Sequence, residues 1–286
     1  MALKYAYHPG NIAHSSAPEV ADTMPPTARS LGIELTPLGG ATSCGAGIIR
    51  QANDILQVTL NARTLAMAES KGLDIITPCA ATAGNLQEDL GRLRGDPLLL
   101  AKTNDVLGRT SDLSLSGAVN VHHLLHVIVD EVGLDKVEAR LRNPMRFRIA
   151  GYYGPNIQQE GACGDDDVYD PNYFEQLIAA LGGTPVEWES RTQSVGVPGL
   201  LSEEPTVLRQ AAAVISDAKS EGADMIVSAC TLSHTVLDVY QGKASRVTGL
   251  STNLPVIHLT ELLSFAFGHH NSRLAQLRTR IAVIGD

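Results

Sequence analysis

The chain repeats itself, and the repeat limits what it can fold into. Leu3-Lys4-Tyr5-Ala6-Tyr7-His8-Pro9-Gly10-Asn11 is echoed by Phe147-Arg148-Ile149-Ala150-Gly151-Tyr152-Tyr153-Gly154-Pro155-Asn156. Each reads as a short strand ended by Pro and Gly, the residues that punctuate strands. A helix is expected after each, over residues 17–31 and 172–181, the second opened by Asp170-Pro171. Both end in Leu-Gly, at Leu31-Gly32 and Leu181-Gly182, and Gly suits the left-handed position past a helix end. A second strand follows at Glu34-Leu35 and at Pro185-Val186-Glu187-Trp188. Then come polar turns, Thr42-Ser43-Cys44-Gly45-Ala46 and Gln193-Ser194-Val195-Gly196-Val197, and long helices over 55–71 and 207–221. Gly72-Leu73-Asp74-Ile75-Ile76-Thr77-Pro78-Cys79 then matches Gly222-Ala223-Asp224-Met225-Ile226-Val227-Ser228-Ala229-Cys230 as a buried strand opening into a loop. Cys79 lies 35 residues after Cys44, and Cys230 lies 35 after Val195.

Strands alternating with helices imply an α/β fold with parallel pairing. The expectation is two pseudo-symmetric halves, each a small parallel sheet flanked by helices. The boundary falls at Asn143-Pro144, because the residue before Pro avoids helix, giving halves 1–143 and 144–286. Ligands gather at the carboxyl edge of such sheets. Asn11, Cys44 and Cys79 are therefore expected at one site, and Pro155, Val195 and Cys230 at a second. Between them, residues 116–132 carry apolar residues at helical spacing around Val121-His122-His123-Leu124-Leu125. On a helix, adjacent residues cannot share a face, so one histidine should point inward beside the first site. Residues 254–259 read as a strand and 260–268 as a helix, while the apolar Ala282-Val283-Ile284 is expected to pack on a partner.

A net charge of -9 argues against nucleic acid and anionic membrane surfaces, which require a basic face. No apolar run of membrane-spanning length occurs, and Met1-Ala2-Leu3-Lys4-Tyr5 lacks the apolar core of a signal peptide. Four scattered cysteines make no secreted disulfide framework, so the expected compartment is the cytoplasm. No Gly-x-Gly-x-x-Gly follows a strand, and the glycines at 10, 45, 154 and 196 read as turn formers. Cys163, without a counterpart in the first half, reads as a surface-loop thiol. The run Asp165-Asp166-Asp167 beside it reads as a solvated loop, without calcium-loop spacing.

Further motifs run nearly end to end: Leu31-Gly32-Ile33-Glu34-Leu35, Ser43-Cys44-Gly45-Ala46, Asn61-Ala62-Arg63-Thr64-Leu65-Ala66-Met67-Ala68-Glu69, Thr77-Pro78-Cys79-Ala80-Ala81-Thr82 and Ala229-Cys230-Thr231-Leu232-Ser233-His234. With these and Leu254-Pro255-Val256-Ile257-His258-Leu259-Thr260, the chain resembles the B-type subunits of heterodisulfide reductase and the cysteine-rich CCG domain proteins. The resemblance implies two CCG halves, each able to carry a non-cubane iron–sulfur cluster. It also implies partners: a ferredoxin-like C-type subunit, a flavoprotein A-type subunit and, in sulfur-oxidation systems, a paralogous B-type subunit.

The chain departs from that pattern where the clusters would be held. The five cysteine positions of the first half read Asn11, Ser43, Cys44, Cys79 and Thr82; those of the second read Pro155, Ser194, Val195, Cys230 and Ser233. Iron in such clusters is held by thiolate, and Val and Pro offer no side-chain donor. The expectation is no cluster in the second half and no family-type cluster in the first, where a non-standard cluster or zinc stays open. Zinc on Cys44 and Cys79 with His8, His14 or His122 is chemically reasonable, though the spacings are no zinc signature. Three readings follow. The first is an altered or structural B-type subunit. The second is a thiol enzyme in which Cys79 and Cys230 exchange a proton with one substrate, as in aspartate/glutamate racemases. The third is a Cys44/Cys79 redox pair. The bland alternative is that all three are small buried residues.

Overall fold

The computed structural model describes residues 2–159 and 164–269. Cys163 and Ala282-Val283-Ile284 lie outside the described residues. The first sheet contains β1 (Leu3–Tyr7), β2 (Ile33–Pro37), β3 (Ile75–Thr77) and β4 (Val121–His123), in the order β2-β1-β3-β4. The second contains β5 (Arg148–Tyr152), β6 (Thr184–Pro185), β7 (Met225–Ser228) and β8 (Val256–His258), in the order β6-β5-β7-β8. Every pairing is parallel, from Leu3 against Ile33 to Ser228 against His258. These sheets are the two pseudo-symmetric halves expected from the repeat.

The main helices of the first half are α1 (Pro18–Leu31), α2 (Asp54–Glu69), α3 (Ala80–Gly95) and α4 (Pro97–Thr110). Those of the second are α5 (Tyr173–Ala180), α6 (Glu204–Ser220), α7 (Thr231–Val239), α8 (Gln241–Thr248) and α9 (Leu259–Ala266). Gly32, at φ 74°, closes α1 in the left-handed conformation. Asp96 caps α4 by accepting from the amides of Leu98 and Leu99, both at 3.0 Å.

The single helix expected over residues 116–132 does not form. Val121–His123 is instead the edge strand β4, with Ile75 opposite Val121. A short helix at Leu124–His126 and a π-helical turn at Val127–Val132 follow. A three-residue strand is too short to show its own period beside a longer helical stretch. The second half's second strand is also shorter than expected. Trp188 leaves the sheet for the core, where its indole donates to the Gly151 carbonyl at 3.1 Å.

The largest apolar cluster straddles the halves. Tyr5, Ile76 and Leu124 of the first pack into one body with Ile149, Phe174, Val227 and Leu259 of the second. Each such aliphatic or aromatic side chain contributes roughly 1.5–3 kcal/mol on burial. The outer faces have their own clusters, around Val58 and Leu65 in one half and Val207 and Ile215 in the other. α1 crosses to lie on α9, where the Thr23 hydroxyl donates to that of Thr260 at 2.8 Å. Among the described residues, no helix is long and apolar enough to cross a membrane.

Candidate functional site

The central strands β3 and β7 each run into a cysteine. Cys79 and Cys230 are extended residues (φ -112° and -135°) that immediately precede α3 and α7. The two helix starts face each other across the seam between the halves. The Ala80 amide donates to the Ala229 carbonyl at 2.9 Å, and the Thr231 hydroxyl donates to the Cys79 sulfur at 3.1 Å. The Cys230 thiol lies near enough to Cys79 for each to shift the ionisation of the other. His123, at the end of β4, donates from Nε2 to the Ala229 carbonyl at 2.9 Å, while its Nδ1 accepts from the Leu125 amide. His258 occupies the same place at the end of β8, with Nδ1 accepting from the Thr260 amide. Gly10, at φ 100°, lies over Cys79. A Cβ there would stand 2.8 Å from the Cys79 Cβ, so only glycine fits.

The two separate sites expected from the repeat are thus joined back to back. The carboxyl ends of the two central strands abut, and Cys79 is shared between its own half and the seam. Within the first half, Asn11 sits in a cysteine position and organises the turn. Its Nδ2 donates to the Cys44 sulfur at 3.1 Å, and its Oδ1 accepts from the Ser43 hydroxyl at 2.8 Å and the Cys44 amide at 3.1 Å. Cys44 also points at the Ala81 carbonyl, and the Thr82 hydroxyl faces both Cys44 and Cys79. In the second half Val195 is packed in the outer apolar cluster, Ser233 is buried, and Pro155 and Ser194 are exposed. The frames still correspond. His8 donates to the Thr42 carbonyl at 3.0 Å, and Tyr152, in the equivalent place, donates to the Gln193 carbonyl at 2.6 Å.

His8 and His122 do not share a pocket. His8 lines a cavity of about 500 Å³ with Tyr7, Asn11, His14, Pro25 and Ser43. His122 lines another, of about 570 Å³, with Arg94, His126 and Glu131. His122 lies on the partly exposed side of β4, edge-on to Tyr5 at 5.6 Å and 3.6 Å from Asp74. The inward histidine is His123, selected by strand alternation rather than by a helix face. His123, His258, Thr231 and Gly10 are the site residues that the sequence reading did not select. Matching Val121-His122-His123-Leu124 to Val256-Ile257-His258-Leu259 would have found the two histidines.

Burial pushes the Cys44 thiol up to about 11, and a nearby Cys79 charge adds to the shift. Burial also opposes ionisation of Cys79. The neighbouring Cys230 thiol, the Thr231 hydroxyl and the Thr82 amide outweigh it and hold Cys79 well below the ordinary thiol range. Cys230, which neighbours Cys79 and is itself buried, is held well above it. His8 and His123 are kept neutral, chiefly by burial.

A second buried cluster adjoins the seam. His234 Nε2 lies 3.2 Å from Glu19 and 3.9 Å from Glu261, and its ring meets that of His258 at 5.8 Å. Burial lifts Glu261 to about 7; the His234 charge and the His258 amide lower it, and Glu19 and Asp238 raise it. A carboxyl raised in the folded state stabilises the fold below its unfolded value and loses that contribution as pH climbs through its folded value. Unfolding free energy should therefore fall between about pH 4.5 and 7, by at most about 3 kcal/mol from this group. Denaturant titrations of Glu261→Gln across that window should show a flatter pH slope than wild type; an unchanged slope would refute the assignment.

Iron–sulfur clusters of the implied type need several thiolates around one cavity. Here Cys44 is bonded to Asn11 and the Ala81 carbonyl, Cys79 is bonded to Thr231, and the second half presents Cys230 with Val195 in apolar packing. That donor set does not fit a family-type cluster. Among the described residues, no group of three or more His, Cys, Asp or Glu side chains is placed to hold a metal ion.

The cysteine-rich CCG domain family matches residues 5–87. The membrane anchor subunit of the 8-methylmenaquinol:fumarate reductase of Wolinella succinogenes is 27% identical over 94% of this chain and 93% of its own. The B-type subunit of the ferredoxin/F420H2-dependent CoB-CoM heterodisulfide reductase of Methanosarcina acetivorans is 26% identical over 84% of this chain and 81% of its own. A protein of Archaeoglobus profundus similar to the B-type subunit of heterodisulfide reductase is 24% identical over 96% and 93%. The crystal structure of a hypothetical protein from Helicobacter pylori superposes with a TM-score of 0.74 at 17% identity, over 96% of this chain and 51% of that one. This chain therefore spans about half of that structure, and the likeness concerns the fold. On paired parallel sheets, the chain thus carries a match to the cysteine-rich CCG domain at residues 5–87 and is similar over most of its length to the B-type subunits of heterodisulfide reductase.

Proposed function

We propose that this chain is a B-type subunit of a heterodisulfide-reductase-like complex in thiol/disulfide or sulfur-compound electron transfer, altered so that it carries no family-type cluster. The observation that carries the reading is the contrast between an intact frame and its missing donors. Both turns keep their glycines in the left-handed conformation, Gly45 at φ 78° and Gly196 at φ 70°, while seven of the ten cysteine positions hold Asn, Ser, Thr, Val or Pro. Such a subunit keeps the surfaces of its relatives for a ferredoxin-like C-type subunit, a flavoprotein A-type subunit and a cluster-bearing paralogue. Its place is the cytoplasm, and its halves divide at residues 143 and 144.

Produced with its partners and purified anaerobically, the chain should co-purify with the C-type subunit. Separated from it, the chain should show neither iron nor acid-labile sulfide, and no visible charge-transfer absorption. Iron that disappears on mutating Cys44 or Cys79 would overturn the reading. The racemase-like alternative needs the two sulfurs on opposite sides of a substrate, whereas Cys79 and Cys230 are buried in the seam, at 0% and 1% exposure, with the Thr231 hydroxyl against the Cys79 sulfur. A Cys44/Cys79 pair is disfavoured because Cys79 accepts its hydrogen bond from Thr231, across the seam.

A further inference from the structure

The seam between the halves carries chemistry that does not depend on any partner. We propose that Cys79 and Cys230 form a two-electron dithiol that closes to a disulfide across the seam, with a small uncharged peroxide as its oxidant. The two residues are 151 positions apart in sequence. Their backbones are held together by the bond from Ala80 to Ala229 at 2.9 Å and by His123 on the same carbonyl. The Thr231 hydroxyl, one residue beyond Cys230, reaches the Cys79 sulfur at 3.1 Å. The two halves are therefore already tied together beside both sulfurs.

Cys79 immediately precedes the 16-residue α3, and the partial positive charge of that helix end favours a thiolate. The donors on its sulfur favour the thiolate too. Cys44 lacks this advantage and is the internal control. The oxidant class follows from access. Both sulfurs are buried, at 0% and 1% exposure, and the Gly10 backbone separates Cys79 from the adjacent cavity. A bulky or charged disulfide cannot pass that wall, whereas a molecule close to water in size can.

The reaction balances in two steps. The Cys79 thiolate attacks one peroxide oxygen, the O–O bond breaks, and a sulfenic acid forms as hydroxide leaves and takes up a proton. The Cys230 thiol then attacks that sulfur, the S–O bond breaks, and hydroxide leaves with the thiol proton as water. Two thiols are oxidised to one disulfide, and one hydrogen peroxide is reduced to two waters.

The test treats the reduced, full-length protein with one equivalent of hydrogen peroxide, or separately with oxidised glutathione. Alkylation in denaturant and peptide mass mapping follow. Peroxide should yield a Cys79–Cys230 linked peptide, with Cys44 still alkylated and reacting roughly tenfold more slowly. Cys44→Ser and Cys163→Ser should retain the linkage. Wild-type protein supplies the main readout, so the result does not depend on whether either variant folds. Absence of the linkage, or a linkage from Cys79 to Cys44 or Cys163, overturns the proposal. Glutathione on Cys79 of the native protein overturns the choice of a small oxidant. Neither result bears on whether the C-type subunit co-purifies.

Discussion

Gly84→Ala should destabilise the protein by about 2–3 kcal/mol, although the same change inside an ordinary helix stabilises it by about 1 kcal/mol. Gly84 lies within α3, which presses on the second half. A Cβ there would stand 2.3 Å from the carbonyl oxygen of Asn156 and 3.2 Å from its carbonyl carbon. Both are backbone atoms, so no side chain can swing aside. α3 would have to withdraw from the seam, drawing Cys79 away from Thr231. Urea unfolding monitored by far-ultraviolet circular dichroism measures the effect. Equal or greater stability in the variant would show that the helix does not bear on the second half as described.

Asp89→Ala should cost about 2 kcal/mol, because it removes the buried carboxylate that ties Arg50, Arg92 and Asn61 together; the two arginines keep only Asp54 and Glu88 nearer the surface. Asp89 is fully buried. It accepts from Arg50 at 2.8 Å, Arg92 at 3.3 Å and Asn61 at 2.6 Å. Asn61 also donates to the Cys44 carbonyl at 3.3 Å, so the carboxylate reaches the Cys44 turn through one intermediate. The loss should appear in chemical denaturation and, separately, as faster native-state alkylation of Cys44. Asp89→Asn, which keeps the shape and an acceptor, should be milder on both counts. An alanine variant with wild-type stability and wild-type Cys44 protection would remove Asp89 from this role.

The sheets, the order of their elements and the equivalence of the turns were legible in the sequence because strand, helix and strand recur at equal spacing. The position of Asn11 beside Cys44 was legible for the same reason. β4 was not, because three residues carry too little alternation to compete with the helical pattern that follows. The meeting of Cys79 with Cys230 was not fixed by the repeat either. Internal repetition describes each half alone and says nothing of which edges of the two halves touch. That arrangement depends on packing between Tyr5, Ile76, Phe174 and Leu259, residues far apart in the chain. A pair of adjacent histidines says that one points inward but not which; on β4 the alternation of a strand turns His123 inward and leaves His122 partly exposed.

The apolar body shared by both sheets bears on how the molecule comes apart. Two lobes linked by a solvent-filled hinge could melt separately, each leaving the other intact. Here, loosening either lobe exposes the side chains that the other relies on for its own interior. The polypeptide should therefore lose its order in one cooperative transition, with no half-melted species to accumulate.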